Sequence, residues 1–84
     1  MPPRGWRFRV HDILKAVRRI RDYTEDMTFE EFTNDPRTVD AVVRNLIVIG
    51  EAAARIPEEV RAETSEIPWS DMREMRNFVV HEYF

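Results

Sequence analysis

Apolar positions along the chain recur at helical rather than strand spacing. From Val10 they fall at Val10, Ile13, Leu14, Val17 and Ile20, the stripe of an amphipathic helix, with Lys15, Arg18 and Arg19 off it. The pattern predicts a first long helix ending near Tyr23 or Thr24. In the following TFEEFTNDP, Thr28 is placed to cap a short helical turn carrying Phe29 and Phe32. Asp35-Pro36 then offers an N-cap and a first-turn proline.

A second long helix is predicted over residues 36–56, carrying Val39, Val42, Val43, Leu46, Ile49, Gly50 and Ala53. At 1.5 Å per residue it spans about 30 Å and forms the hub of the core. A glycine inside a helix costs about 1 kcal/mol relative to alanine, so Gly50, with Ala52, Ala53 and Ala54 beside it, marks a place where another helix comes close. Ile56-Pro57 ends the helix, because the residue before a proline is pushed out of the α region. PEEVRAE predicts another short helix and Ile67-Pro68 the next break. The last helix runs from near Trp69 to the terminus. The fold class read from this is all-α: one domain over residues 1–84, an antiparallel bundle of three long helices with short helical connections.

Length constrains the picture further. A chain of 84 residues buries only about 60% of its unfolded surface, so its core is thin and a partner subunit is an expected source of stability. With no cysteine and two histidines, the sequence offers no disulfide framework and a poor set of metal ligands, and no cofactor is expected. The longest apolar run, residues 46–49, is far short of the roughly 20 residues that span a bilayer. The N-terminus lacks the apolar core of a signal peptide, which reads as a soluble cytoplasmic protein with no membrane partner. The net charge of -3 hides an asymmetry. Residues 1–21 hold seven basic side chains, Arg4, Arg7, Arg9, Lys15, Arg18, Arg19 and Arg21, against Asp12 alone, and the remainder is acidic. A basic segment on an acidic body attracts a polyanion locally.

Candidate chemistry gathers at the end of the chain, in RNFVVHEYF. Placed on a helix, Met72, Met75, Val79, Tyr83, Arg76, Trp69 and Val80 share the face expected to be buried, while His81 lies opposite, beside Asn77 and Glu74. Arg76 and Tyr83 therefore stack at the edge of the apolar stripe and the histidine looks away. One straight helix does not aim all three at one atom.

The spacing Arg76-Asn77-x-x-x-His81-x-Tyr83 resembles the R-x(4–6)-H-x-Y signature of HEPN-domain ribonucleases, in which asparagine is a usual neighbour of the arginine. The stretches HDILKAVRRIRDYTEDMTFEEF, DPRTVDAVVRNLIVIGEAA and IPEEVRAETSEIPWSDMREMRNFVVHEYF are similar, in order and spacing, to one branch, the HepT-like toxins. The likeness runs through nearly all of the chain from Arg9 onward. It implies a HEPN-type helical fold that dimerises with the two motif helices face to face, so that both protomers surround one composite cleft. It also implies a toxin of a toxin–antitoxin system that cuts RNA without a metal. Members of the branch generally continue beyond the tyrosine with a further helix, and this chain is expected to lack it.

RNA is cleaved by its own 2′-hydroxyl when one group removes that proton, another steadies the charge on phosphorus and a third protonates the leaving oxygen. Carried onto this sequence, His81 is the general base or acid, Arg76 the phosphate and transition-state clamp, and Tyr83 a hydrogen-bonding and positioning group. Asn77 orients the phosphate, Arg18 and Arg19 of the first helix bind flanking backbone, and the product is a 2′,3′-cyclic phosphate. The resemblance further implies an MntA-type nucleotidyltransferase antitoxin that silences the toxin by transferring AMP onto the motif tyrosine, here Tyr83. The competing expectation is a non-catalytic HEPN-derived module that dimerises and docks the nucleotidyltransferase.

Overall fold

The computed structural model describes residues 5–83, so Arg4 of the basic segment and Phe84 lie outside the described residues. Among the described residues five helices follow one another: α1 (Trp6–Thr24), α2 (Phe29–Thr33), α3 (Pro36–Ala54), α4 (Glu58–Glu63) and α5 (Trp69–Tyr83). The protein is all-α as predicted, with three long helices, and no strand occurs among the described residues. None of those helices is long and apolar enough to cross a membrane.

The sequence signals act where they were read. Thr28 Oγ1 accepts from the Glu31 backbone N–H at 3.1 Å while Glu31 Oε1 accepts from the Thr28 N–H at 2.8 Å, a reciprocal capping box that starts α2. Asp35 caps α3 through the Thr38 N–H at 3.2 Å and the Thr38 hydroxyl at 2.8 Å, with Pro36 in the first turn. The apolar pattern leaves one boundary open, and a second differs from expectation. α1 begins at Trp6, four residues before Val10, because Gly5 takes a left-handed φ of 98° and turns the chain so that its carbonyl accepts from the Phe8 N–H at 3.0 Å. α3 stops at Ala54 rather than 56, where the Arg55 N–H bonds the Ala52 carbonyl at 3.0 Å and tightens the last turn ahead of Pro57.

α3 is the hub, packed by α1 on one side and α5 on the other. Ile13 and Ala16 of α1 meet Ile49 and Ala52 of α3, and Val48, Trp69, Met72 and Met75 pack against that cluster. Both neighbours run antiparallel to α3: Ile20 and Thr24 lie near Val42, and Tyr83 reaches Asp40 while Met72 and Arg76 sit over Gly50. The α4–α5 connection is tied by the Trp69 indole N–H donating to Thr64 Oγ1 at 3.0 Å, whose own hydroxyl donates to the Val60 carbonyl at 2.6 Å.

The core is thin. Among the described residues no large side chain is fully buried, and the radius of gyration of 14.1 Å exceeds the about 12 Å expected of a compact domain this size. Two expectations about buried faces need correction for this reason. In α1 only Ile13 and, unforeseen, Ala16 are buried, whereas Leu14 and Val17 are 48% and 38% exposed. In α5 only Val79 is buried, with Val80 and Tyr83 39% and 45% exposed rather than covered. Each of these helices lies mainly against α3, so only a narrow strip of its apolar face is covered.

Gly50 makes the α3–α5 crossing possible. A Cβ built there would run into Arg76 Cβ and stand 3.0 Å from the Met72 carbonyl oxygen. Gly50→Ala, which should gain about 1 kcal/mol of helix propensity, is instead expected to lose about 1–3 kcal/mol through overpacking, read as a lower urea midpoint. A midpoint at or above that of the unaltered chain would show that the two helices do not cross at this residue.

Candidate active site

The helix that carries the motif divides it between two faces. Arg76 and His81 are five residues apart, about 140° around the axis. Arg76 is half-buried on the α3 side, its stem lying over Gly50. Asn77 and His81, four residues apart, share the exposed side with Glu74. Tyr83 turns back toward the start of α3. Arg18 and Arg19 are exposed on α1. Within one chain, then, Arg76 and Tyr83 are brought to α3 and His81 is not.

Two carboxylates of α3, neither anticipated from the sequence, receive the two motif residues. Arg76 Nη1 donates to Glu51 Oε1 at 2.6 Å, and Arg55 Nη1 binds the other oxygen of the same carboxylate at 3.0 Å. Hydrogen bonding from Arg55, with the charge of Arg76 adding to it, holds the Glu51 carboxyl below the usual glutamate range. Glu51 is thus ionised throughout neutral pH. The Tyr83 hydroxyl donates to Asp40 Oδ1, and this bond to a carboxylate, which favours the neutral phenol, raises the Tyr83 pKa above the usual range. The signal for Glu51 lay beside a flagged residue, since it follows Gly50 directly. Asp40 carried none.

Energetics set the Glu51–Arg76 pair apart from an ordinary surface bridge. With side chains 26% and 41% exposed, such a pair contributes about 0–1 kcal/mol. Its position requires a glycine inside α3, at about 1 kcal/mol, and leaves Arg76 Nε buried without a hydrogen-bond partner, which costs about 1–3 kcal/mol. The arrangement costs at least as much as it returns in stability. Local costs of that kind gather where a side chain is held for a task.

Comparison with known proteins decides the ancestry. Residues 13–84 match the family described as Ribonuclease HepT-like. The chain belongs to the HepT-like ribonuclease family. It is 42% identical over its whole length to "Putative RNase MJ0127" of Methanocaldococcus jannaschii, spanning 69% of that protein. It is 40% identical over 75 residues, 89% of this chain and 68% of the relative, to "Probable ribonuclease HepT" of Thermococcus cleftensis. "Putative RNase TTE0752" of Caldanaerobacter subterraneus is 38% identical over 72 residues, 86% of this chain and 64% of the relative. No solved structure matches. The matched segment of this HepT-like chain includes Arg76, His81 and Tyr83 together with Asp40 and Glu51.

The Tyr83–Asp40 bond can be checked by titration. Only the protonated phenol donates, so its contribution is present at neutral pH and is lost as pH rises through the raised pKa, above the ordinary value of about 10. In a Tyr23→Phe background Tyr83 is the single tyrosine. Its phenolate absorbance should emerge above pH 10, and Asp40→Ala should move that onset to lower pH. An onset unmoved by Asp40→Ala would break the link between the two side chains.

Proposed function

We propose that this HepT-like chain is the toxin of a toxin–antitoxin pair: a metal-independent endoribonuclease whose site is completed at a homodimer interface formed by two copies of α5. The observation that carries the reading is the exposed face of that helix. Phe78, 67% exposed, lies three residues before His81 on the side turned away from Arg76 and α3, while Val80, 39% exposed, lies four residues beyond Arg76 at the other edge. A large apolar side chain left in water beside a catalytic candidate suits a protein–protein contact, and a thin core favours one. Packing two such faces about a two-fold axis sets His81 and Asn77 of each copy in one cleft, rimmed by Arg76.

In that cleft an RNA phosphate rests on the Arg76 guanidinium, which stays charged and offers donors to the phosphate oxygens. His81 takes the 2′-hydroxyl proton as that oxygen attacks phosphorus, and the histidine of the other copy protonates the departing 5′-oxygen, leaving a 2′,3′-cyclic phosphate. Tyr83 hydrogen-bonds at the edge of the site and Asn77 steadies the phosphate. Arg18 and Arg19 on α1 hold flanking backbone without reading its sequence.

An oligoribonucleotide cleavage assay in EDTA, run beside sedimentation, tests this. The unaltered chain should sediment as a dimer at micromolar concentration and cleave. His81→Ala and Arg76→Ala should each lose about 10²- to 10⁴-fold in rate with helicity preserved. Undiminished cleavage by His81→Ala, or a stable monomer that cleaves, would sink the composite site. A dimer that never cleaves would favour the second reading, a HEPN-derived module that docks a nucleotidyltransferase.

The same proposal makes Tyr83 the acceptor of AMP from an MntA-type partner. Its ring is 45% exposed, open enough to be reached, and the added negative charge would repel RNA from the cleft. Mass spectrometry after incubation with such a transferase and ATP should find one adduct on the unaltered chain and on Tyr23→Phe, and none on Tyr83→Phe. An adduct on Tyr83→Phe refutes the assignment.

A further inference from the structure

Glu51 stands outside the motif, yet it is the residue that fixes the direction of the motif arginine. Its carboxylate is shared, one oxygen with Arg55, the C-cap residue of the same helix, at 3.0 Å and the other with Arg76 across the helix pair at 2.6 Å. The intrahelical bond to Arg55 anchors the carboxylate on α3, so that its second oxygen presents a fixed acceptor to α5. Arg76 reaches that acceptor only because the absent side chain of Gly50 lets the arginine stem lie flat against α3. Three features at the end of α3, the missing side chain of Gly50, the adjacent acid and the basic C-cap Arg55, converge on a single guanidinium. The bridge itself is too exposed to matter much for stability, and the guanidinium keeps a buried, unpartnered Nε.

We propose that Glu51 is a positioning residue for RNA cleavage: it acts through Arg76, holding the guanidinium by one nitrogen so that its other terminal nitrogen faces the phosphate. This rests on the ribonuclease reading of the motif. A flexible arginine samples many orientations, and a clamp that must be oriented at the moment of reaction loses rate when it is loose. Glu51 remains ionised at neutral pH and so remains a firm acceptor. The carboxylate does not touch the substrate, and its effect should fall on turnover rather than on capture of RNA.

The test is a double-mutant cycle on turnover. Glu51→Gln keeps the shape of the side chain and removes its charge. It should lower kcat about ten- to a hundredfold, with KM and the affinity for an uncleavable 2′-O-methyl oligonucleotide nearly unchanged and the thermal midpoint within a few degrees. In the Arg76→Ala background the same change should add no further loss, because the group through which it acts is gone. Full kcat in Glu51→Gln, an additive loss in the double variant, or a loss of rate matched by a loss of fold would overturn the proposal. Should the unaltered chain fail to cleave RNA, the ribonuclease reading fails by itself. The positioning is then read from the arginine side-chain resonances of ¹⁵N-labelled protein, where the Arg76 guanidinium should exchange slowly and lose that protection in Glu51→Gln. Unchanged guanidinium exchange would overturn it independently.

Discussion

The contact on which the arrangement depends is the crossing of α5 over Gly50. In a bundle with no fully buried large side chain among the described residues, α3 and α5 hold together by close backbone approach more than by interlocking bulk. Arg76 Cβ and the Met72 carbonyl occupy the space that any side chain at position 50 would need. From that crossing two consequences run in opposite directions along the helix pair. Toward the start of α5, Met72, Met75 and Trp69 settle on the Ile49–Ala52 cluster. Toward its end, Val79 is buried and Tyr83 arrives beside Asp40. Fixing one point of an antiparallel pair fixes its register, so the glycine places both motif residues that face α3.

The crossing also explains why the chain looks incomplete as a solitary body. α3 serves two neighbours, and each covers only a narrow strip of its own apolar surface against it. Leu14 and Val17 on α1, and Phe78 and Val80 on α5, are left in water. A chain of this length cannot wrap three long helices closely enough to cover all these faces at once. Surplus apolar surface of that kind is a standing incentive to associate. On α5 Phe78 lies on the face of His81, which joins the stability of the fold to the assembly of the proposed site.

Much of this was legible in the residues. Periodicity located the long helices, and short-range chemistry located their starts, because the Thr28 and Asp35 caps and the Pro57 and Pro68 breaks act within one turn and need no tertiary context. The wheel separated Arg76 and Tyr83 from His81 for the same reason. What the sequence did not disclose was which part of each apolar stripe is covered, since that depends on how many neighbours a helix has. Leu14 and Val17 obey helical periodicity as well as Ile13 does and yet lie on the uncovered side. The start of α1 escaped notice because it depends on a left-handed Gly5 and not on any apolar pattern.

Glu51 and Asp40 were invisible for a further reason. An acid on a long charged helix reads as a solvated side chain, and only the partner brought across the bundle distinguishes it. Gly50 did carry a signal, being costly where it stands, and its meaning was a close approach by an unnamed helix. Once the approaching helix is α5 and the approaching residue is Arg76, the next residue along α3 acquires its partner from geometry alone. A site of this kind is written in the motif and in the backbone clearance that lets the motif's arginine be held. A chain with the motif spacing but a side chain at position 50 would keep Arg76, His81 and Tyr83 and lose the close approach that brings Arg76 to Glu51.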